Sequence, residues 1–499
     1  MAGTHLTFHS IDSYSSEGLL TMNSTTTPPS TTAPDGTAPS VERRTIDHIP
    51  HDERHGRARD IFTVWFGSNI MLLTIITGAL ATTVFGLPFW AGALAVIAGN
   101  LVGGVVMALH AAQGPQMGVP QMLQTRAQFG SLGSLLVVVL VVFMYLGFFA
   151  SNAVLGGKAF AEVTGLPDNW AIFIIGAISV VVTMIGYKLI HSMAALLSVV
   201  AGLALLLAFV WMLAVNGLPT DTWHSSGFTW AGFMATFSAA ALWQIAYAPY
   251  VSDYTRYLPR DTGVKTAFWA TYAGCVLGSV LPMLLGVLIG AALPSADTLD
   301  GMGTLTHGIS TGLFLVFAVG ISVTNGMNLY CGALSTITVG QNIFPRWRAQ
   351  AVSRAVIAVV LFAIAMLPAL LSADDFLANY ANFLSLLLCV LIPWTAVNLV
   401  DYYLLRHGEY DIDSLFRRDG GVYGRFNWVA VACYVLGILV QIPFLSTTLW
   451  TGPIAKDLGG VDISWIVGLA VICPLYYVLM TTRNSTIPVA AELSSESVA

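Results

Sequence analysis

The stretch Trp65–Ala79 reads WFGSNIMLLTIITGA. It lies inside a run, 61–125, that holds no Asp, Glu, Lys or Arg. About 20 apolar residues suffice to cross a hydrocarbon core of roughly 30 Å. In lipid the backbone amides must be satisfied within the segment, so such a run is helical. Yet Gly67-Ser68-Asn69 sits early in the first candidate span, followed by Thr74, Thr77 and Gly78. Polar and helix-breaking residues are costly at that depth and usually mark a pathway.

The rest of the chain repeats the pattern. Charged residues are also missing from 127–157, 189–220, 222–252, 266–296, 301–345, 376–400 and 426–455. Of 499 residues, 56% are hydrophobic and 9% charged, and mean hydropathy is +0.75. Soluble domains are about one quarter charged, so the chain is read as a polytopic membrane protein. Its net charge of −6 excludes a general nucleic-acid binder. The five cysteines all fall in apolar runs and form no C-x-x-C pair, so neither a disulfide framework nor a metal pair is expected. The spacing predicts twelve spans: 60–84, 89–110, 132–160, 170–189, 192–215, 229–252, 267–293, 310–338, 350–371, 376–400, 427–447 and 462–481. Ten-residue alternating segments, the mark of a barrel, are absent. The expected architecture is all-α.

Residues 1–59 read as a disordered tail, with Asn23–Ser40 (NSTTTPPSTTAPDGTAPS) too polar to fold. No basic start followed by an apolar segment marks a signal peptide. Residues 482–499 form a second tail. With both termini in the cytoplasm, only Lys456 and Lys158 of the 20 basic residues fall toward the outer side, leaving 18 inside. The positive-inside rule asks for this bias.

Four spans carry interruptions. The first is the Gly67–Asn69 segment. The third holds Tyr145, Gly147, Phe148, Phe149, Ser151 and Asn152; the sixth, Trp243, Gln244, Tyr247, Pro249 and Tyr250; the eighth, Ser322, Thr324, Asn325, Gly326 and Asn328. Spans 1 and 6 are five helices apart, and an odd offset reverses direction across the membrane. Two inverted halves, 60–215 and 229–400, follow, with 427–481 as two extra helices. In transporters built this way, broken helices at matching positions form a midplane site. Single Gly, Ser or Thr residues more often serve close helix packing. Trp90, Trp170 and Trp230 read as interface belt residues, whereas Trp243, Tyr247 and Tyr145 lie deeper. Unpaired amides such as Asn325 and Asn328 are expensive in hydrocarbon. His110 reads as interfacial, and no Asp or Glu falls inside a span.

Three stretches resemble the nucleobase–cation symporter family of cytosine, purine–cytosine, hydantoin and allantoin transporters. They are Trp65–Ala79, Gln113–Gly133 (QGPQMGVPQMLQTRAQFGSLG) and Pro249–Pro259 (PYVSDYTRYLP). The resemblance implies a five-plus-five inverted-repeat transporter fold with two added helices. It also implies a flat heterocycle held between an aromatic of helix 3 and one of helix 6. The family's aromatic-x-Gly pattern falls on Tyr145 and Gly147. A polar contact one turn later falls on Phe149, which cannot make it. Trp243 or Tyr247 is the second ring, with Gln244 beside it, and Asn325 and Asn328 match amides of helix 8. Sodium-coupled relatives use carbonyls of broken helix 1 and two hydroxyls of helix 8. Thr324 matches one hydroxyl, while Val323 stands where the other would be, and Asn69 joins Thr324 as the expected cation site. Asp253 and Arg256 are the candidate inner gate.

The resulting expectation is a plasma-membrane secondary transporter, not an enzyme. It takes up a nucleobase such as cytosine or a purine by alternating access, coupled to sodium or protons. It needs no cofactor, and its partners are the substrate, the coupling cation and the lipid bilayer. The alternative is a same-fold carrier of a hydantoin, allantoin or a vitamin pyrimidine precursor.

Overall fold

The computed structural model describes residues 46–483, apart from 224–226, 345, 348–350, 372–375 and 448. Of the expected tails, 1–59 and 482–499, residues 1–45 and 484–499 lie outside the described residues. The helices are α1 (Ala58–Asn69), α2 (Leu72–Thr83), α3 (Phe89–Ala111), α4 (Gly114–Met117), α5 (Gln121–Phe129), α6 (Ser134–Thr164), α7 (Asp168–Ile185) and α8 (Tyr187–Val210). They continue with α9 (Trp230–Ile245), α10 (Ala248–Thr255), α11 (Val264–Ala292), α12 (Thr298–Leu305), α13 (Ser310–Ile343), α14 (Ala351–Leu371) and α15 (Phe376–Leu399). The last four are α16 (Ile412–Phe416), α17 (Trp428–Gln441), α18 (Pro453–Asp457) and α19 (Ser464–Arg483). Among the described residues there is no strand, only an isolated bridge between Ser446 and Thr451. The all-α expectation holds.

Among the described residues nine helices are long and apolar enough to cross a membrane, and the bent pair α1–α2 makes ten. The two remaining expected spans are helical but do not meet that measure. One is divided into α9 and α10, and the other, Trp428–Phe444, is short. The tenth span runs further than expected, continuing as a π-helical turn to Leu405. Asp401 is therefore inside a span, contrary to the sequence reading. It is fully buried, accepting from Tyr476 Oη (3.0 Å), Tyr410 Oη (2.8 Å) and Arg406 Nε (3.0 Å).

Small residues set the closest approaches, because a membrane offers little hydrophobic force between helices and packing must supply it. A Cβ at Gly286 of α11 would land on the Ile75 carbonyl of α2, and one at Gly78 of α2 on the Met283 backbone. Gly99 and Gly103 of α3 lie against the Phe237 and Ala241 carbonyls of α9. Gly274 and Gly278 of α11 do the same against Phe62 and Phe66 of α1. So α11 packs on the α1–α2 pair as α3 packs on α9. Gly67 lies against the backbone of α8 at Ala194 and Ser198, a packing role rather than a ligand role. Trp90, Trp170 and Trp230 are 59%, 64% and 66% exposed, as belt residues should be, whereas Trp243 is 2% exposed.

The segment before α1 is packed, although the sequence reading assigned it to the disordered tail. Ile46 and Ile49 are buried, Ile49 N donates to Gly118 O (3.0 Å), and Arg54 Nε donates back to Ile49 O (2.9 Å).

Candidate functional site

The first span breaks at Ile70 and Met71. Met71 is extended (φ −149°, ψ 166°), and α1 and α2 are bent by 59°. The freed carbonyls find side chains. Asn69 O accepts from Met71 N (3.1 Å) and from Thr74 Oγ1, and Ser68 O accepts from Thr324 Oγ1 (3.1 Å). The Asn69 side chain is engaged at both ends: Nδ2 donates to Trp65 O (2.7 Å), while Oδ1 accepts from Trp243 Nε1 (2.8 Å) and Ser279 Oγ (2.8 Å). Asn69 thus fixes the Trp243 indole, while Thr324 Oγ1 gives its proton to Ser68 O and keeps its lone pairs.

The sixth span is interrupted more gently. Ala246 and Tyr247 keep right-handed helical dihedrals (φ −63° and −83°), and Tyr247 N donates to Gln244 O (3.0 Å), a tightened turn rather than an unwound one. Pro249, without an N–H, lets α10 restart there. The two interruptions adjoin, with the Trp65 and Tyr247 rings 5.4 Å apart at 69°.

Between them lies a cavity. Phe148 and Asn152 of α6, Trp243, Tyr247 and Tyr250 of the sixth span, Met71 of the first, and Thr324, Met327 and Asn328 of α13 line it. Phe148 and Trp243 meet edge to face, 6.2 Å apart at 83°. Asn152 is 1% exposed and its Oδ1 has no hydrogen-bond partner. The opposite wall is a relay: Tyr250 Oη donates to Asn328 Oδ1 (2.6 Å), Asn328 Nδ2 to Asn325 Oδ1 (3.0 Å), and Asn325 Nδ2 to Phe149 O (3.1 Å).

Of the expected site residues, the cavity gathers Trp243, Tyr247, Asn328 and Thr324. Tyr145 stands behind, its hydroxyl donating to Pro249 O (3.0 Å) and its ring against Tyr250 (4.6 Å). Phe149 faces away toward Phe362 (6.0 Å), and Asn325 acts on the wall through Asn328. Gln244 is buried against α3 and α11, donating to Asn100 Oδ1 (2.7 Å) and Cys275 O (3.2 Å). Asp253 and Arg256 are both buried outside the cavity. Asp253 Oδ1 accepts from Gln121 N (2.9 Å), and Arg256 donates to Asp47 O (3.4 Å). They tie α10 to α5 and to the segment before α1.

The third-span ring that reaches the cavity is Phe148, three residues past the expected Tyr145, and the polar group one turn later is Asn152. Asn152 thus puts a polar group on the cavity wall, which Phe149, one turn past Tyr145, does not. Tyr250 was visible in the sequence as a polar interruption, but nothing there told which face of its helix meets the cavity.

Residues 48–468 match the family described as permease for cytosine/purines, uracil, thiamine, allantoin. A putative purine-cytosine permease of Bacillus subtilis (strain 168) is 40% identical over 89% of this chain and 96% of its own. A hydantoin permease of Microbacterium maritypicum is 25% identical, covering 87% of each. Among solved structures, Mhp1, a nucleobase-cation-symport-1 family transporter in a closed conformation with bromovinylhydantoin bound, superposes with a TM-score of 0.72 at 20% identity. That superposition covers 88% of this chain and 95% of Mhp1, and the shared fold is a transporter fold.

Proposed function

Because the chain belongs to the family of permeases for cytosine and purines, uracil, thiamine and allantoin, which are carriers and not enzymes, we propose that it takes up a nucleobase of the cytosine or purine class by alternating access, coupled to a sodium or proton gradient. The protein is a multi-pass membrane protein. Our reading places it in the plasma membrane with both termini in the cytoplasm, as its basic residues favour.

The observation that carries the reading is the cavity itself. Its lining of aromatic rings with a few convergent amides is the chemistry usual for small-molecule pockets. A flat heterocycle stacked on Trp243 would meet Phe148 edge-on, and rings held this way gain about 0.5–1.5 kcal/mol beyond burial. Stacking does not choose among bases. Asn152, which lines the cavity with an unpartnered Oδ1, supplies the choice in this reading, because a substrate lacking the matching donor leaves that oxygen unpaired. The reciprocal packing of α11 on α1–α2 and α3 on α9 supports two inverted halves that rock about this site. Greater likeness to the purine–cytosine relative than to the hydantoin permease favours nucleobases.

Uptake of labelled cytosine and hypoxanthine into membrane vesicles tests the reading. It should collapse when ionophores dissipate the gradients, and uptake indifferent to ionophores excludes coupled transport. Asn325→Ala should abolish uptake while the protein still reaches the membrane, because Asn328 loses its anchor. Persistent transport removes Asn325 from the site.

A further inference from the structure

A second group of buried polar side chains lies where the end of α3 meets α5, α10 and α15. His110, read from sequence as interfacial, is fully buried. Its imidazole stacks on the indole of Trp394, 4.7 Å away at 17°. His110 Nδ1 is 3.4 Å from Gln121 Nε2, and Nε2 has no partner. Gln113 Nε2 donates to Asn398 Oδ1 (2.8 Å), and Trp394 Nε1 to Thr125 Oγ1 (3.2 Å). Around them Gln113 Oε1, Gln121 Oε1, Thr395 Oγ1 and Asn398 Nδ2 are buried without partners. Orphaned buried polar atoms are rare in native proteins, and a concentration of them asks for a cause.

We propose that His110 is the proton-binding group of this carrier, taking one proton from the aqueous phase on one side to become imidazolium and releasing it on the other. The proposal rests on the transport reading above and selects the proton as the coupling ion. Three observations support it. A cation over the face of an indole is attracted by the ring's quadrupole, so Trp394 favours the charged ring. Protonation makes both ring nitrogens donors, and turning the Gln121 amide over offers its unpartnered oxygen to Nδ1–H. Ser252 Oγ donates to His110 O (3.0 Å) and Thr255 Oγ1 to Ala111 O (2.8 Å), so α10, which also carries Tyr250 of the cavity wall, is fastened to this turn of α3.

The other charged or titratable groups on the surrounding elements are few. Asp253, Tyr254 and Arg256 belong to α10, with Tyr254 facing Trp65 and Tyr330. Arg126 of α5 donates to Leu415 O and Thr338 O. Asp401 beyond α15 is held by Tyr476, Tyr410 and Arg406, and Tyr403 Oη donates to Leu109 O (2.7 Å). Asp253, joined to Gln121 N, is the carboxylate nearest in the network to the ring.

The test uses the full-length protein in liposomes enclosing a pH-sensitive dye, in sodium-free buffer, with labelled cytosine and hypoxanthine outside. Wild-type uptake should rise with an acid-outside gradient and carry protons inward. His110→Gln should lose the proton influx and flatten the pH profile. Gln121→Glu, close in shape, sets a carboxylate beside Nδ1 and should move the profile about one pH unit toward alkaline; it decides alone if His110→Gln does not reach the membrane. A His110→Gln protein with wild-type proton influx, an unmoved Gln121→Glu profile, or wild-type uptake driven by sodium and indifferent to pH overturns the proton site while leaving transport intact. A wild type that takes up neither base refutes the transport reading, and the proton site falls with it.

Discussion

Replacing Asn152 with Leu separates a binding group from a packing group, because the two roles predict opposite signs. The side chain is 1% exposed and its Oδ1 has no partner, so the empty protein bears the cost of a desolvated carbonyl. Leu is close to Asn in shape and removes that oxygen. Relief of an unsatisfied buried acceptor is worth up to about 1–3 kcal/mol, so the ligand-free Leu variant should melt at or above the wild-type temperature. Binding should move the other way. A nucleobase N–H directed at Asn152 would lie unpaired against a methyl group, at a similar cost of about 1–3 kcal/mol. That predicts affinity weaker by about five- to 150-fold. Melting curves in detergent without ligand, paired with titration calorimetry for cytosine and hypoxanthine, measure both quantities on one preparation. An affinity within about twofold of wild type refutes the assignment. A parallel fall in stability and affinity refutes it too, since it would mean Asn152 serves packing.

Three further outcomes follow from the same contacts. Trp243→Phe keeps a stacking face but drops the bond to Asn69 Oδ1, and binding should weaken; a double-mutant cycle with Asn69→Ala should show coupling of about 0.5–3 kcal/mol, and additivity would separate the two residues. Gly286→Ala presses a Cβ into the Ile75 carbonyl and should destabilise by about 1–3 kcal/mol in thermal melts, whereas Gly312→Ala, which meets nothing within 4 Å, should not. The Arg417 guanidinium beside Asp419 holds that carboxyl well below the usual carboxylate range. Its contribution is present above the ordinary carboxylate pKa and is lost as pH falls through the lowered value. Both side chains are more than half exposed, so Asp419→Asn should leave the melting temperature nearly unchanged at neutral pH, and less changed still in high salt.

The spans were legible because hydrocarbon imposes length and charge exclusion on sequence directly. The first break was legible because Gly67-Ser68-Asn69 departs from that rule. What failed to show was rotation. Along α6 the residues Tyr145, Phe148, Phe149 and Asn152 all project within one broad sector, and a membrane helix lacks the polar-outside contrast that would set its facing. The structure turns Phe148 and Asn152 to the cavity and Phe149 to Phe362. His110 was misplaced for another reason. The segment after it folds into α4 and α5, whose Gly118 takes a left-handed φ of 64° to make the turn. That returns Gln121 over the histidine, a tertiary fold-back that hydropathy cannot register. The sixth span keeps helical dihedrals through Tyr247, since Pro249 removes a donor without forcing the turn before it to unwind.

The break in the first span and the ring beside the cavity form one structural unit. Asn69, the last residue of α1, holds Trp243 through Oδ1 and Ser279 of α11 through the same atom. A rigid tilt of α1 therefore either carries the indole with it or breaks that bond. On the other wall, Tyr250 of α10 reaches Asn328 of α13, and Asn328 reaches α6 through Asn325. A substrate placed between Trp243 and Asn328 would touch both systems, and each of them joins the two halves of the predicted repeat, through Asn69 in one and Phe149 in the other. Ligand can shift a conformational equilibrium only through contacts that differ between its states. These two hydrogen-bond systems are where such differences can arise. The Ser252 bond to His110 O ties α10, which carries Tyr250 of the second system, to the backbone turn that bears the buried imidazole. If that ring carries the coupled proton, a position of α10 that changes its surroundings would link substrate and proton, and linkage would make the dependence mutual.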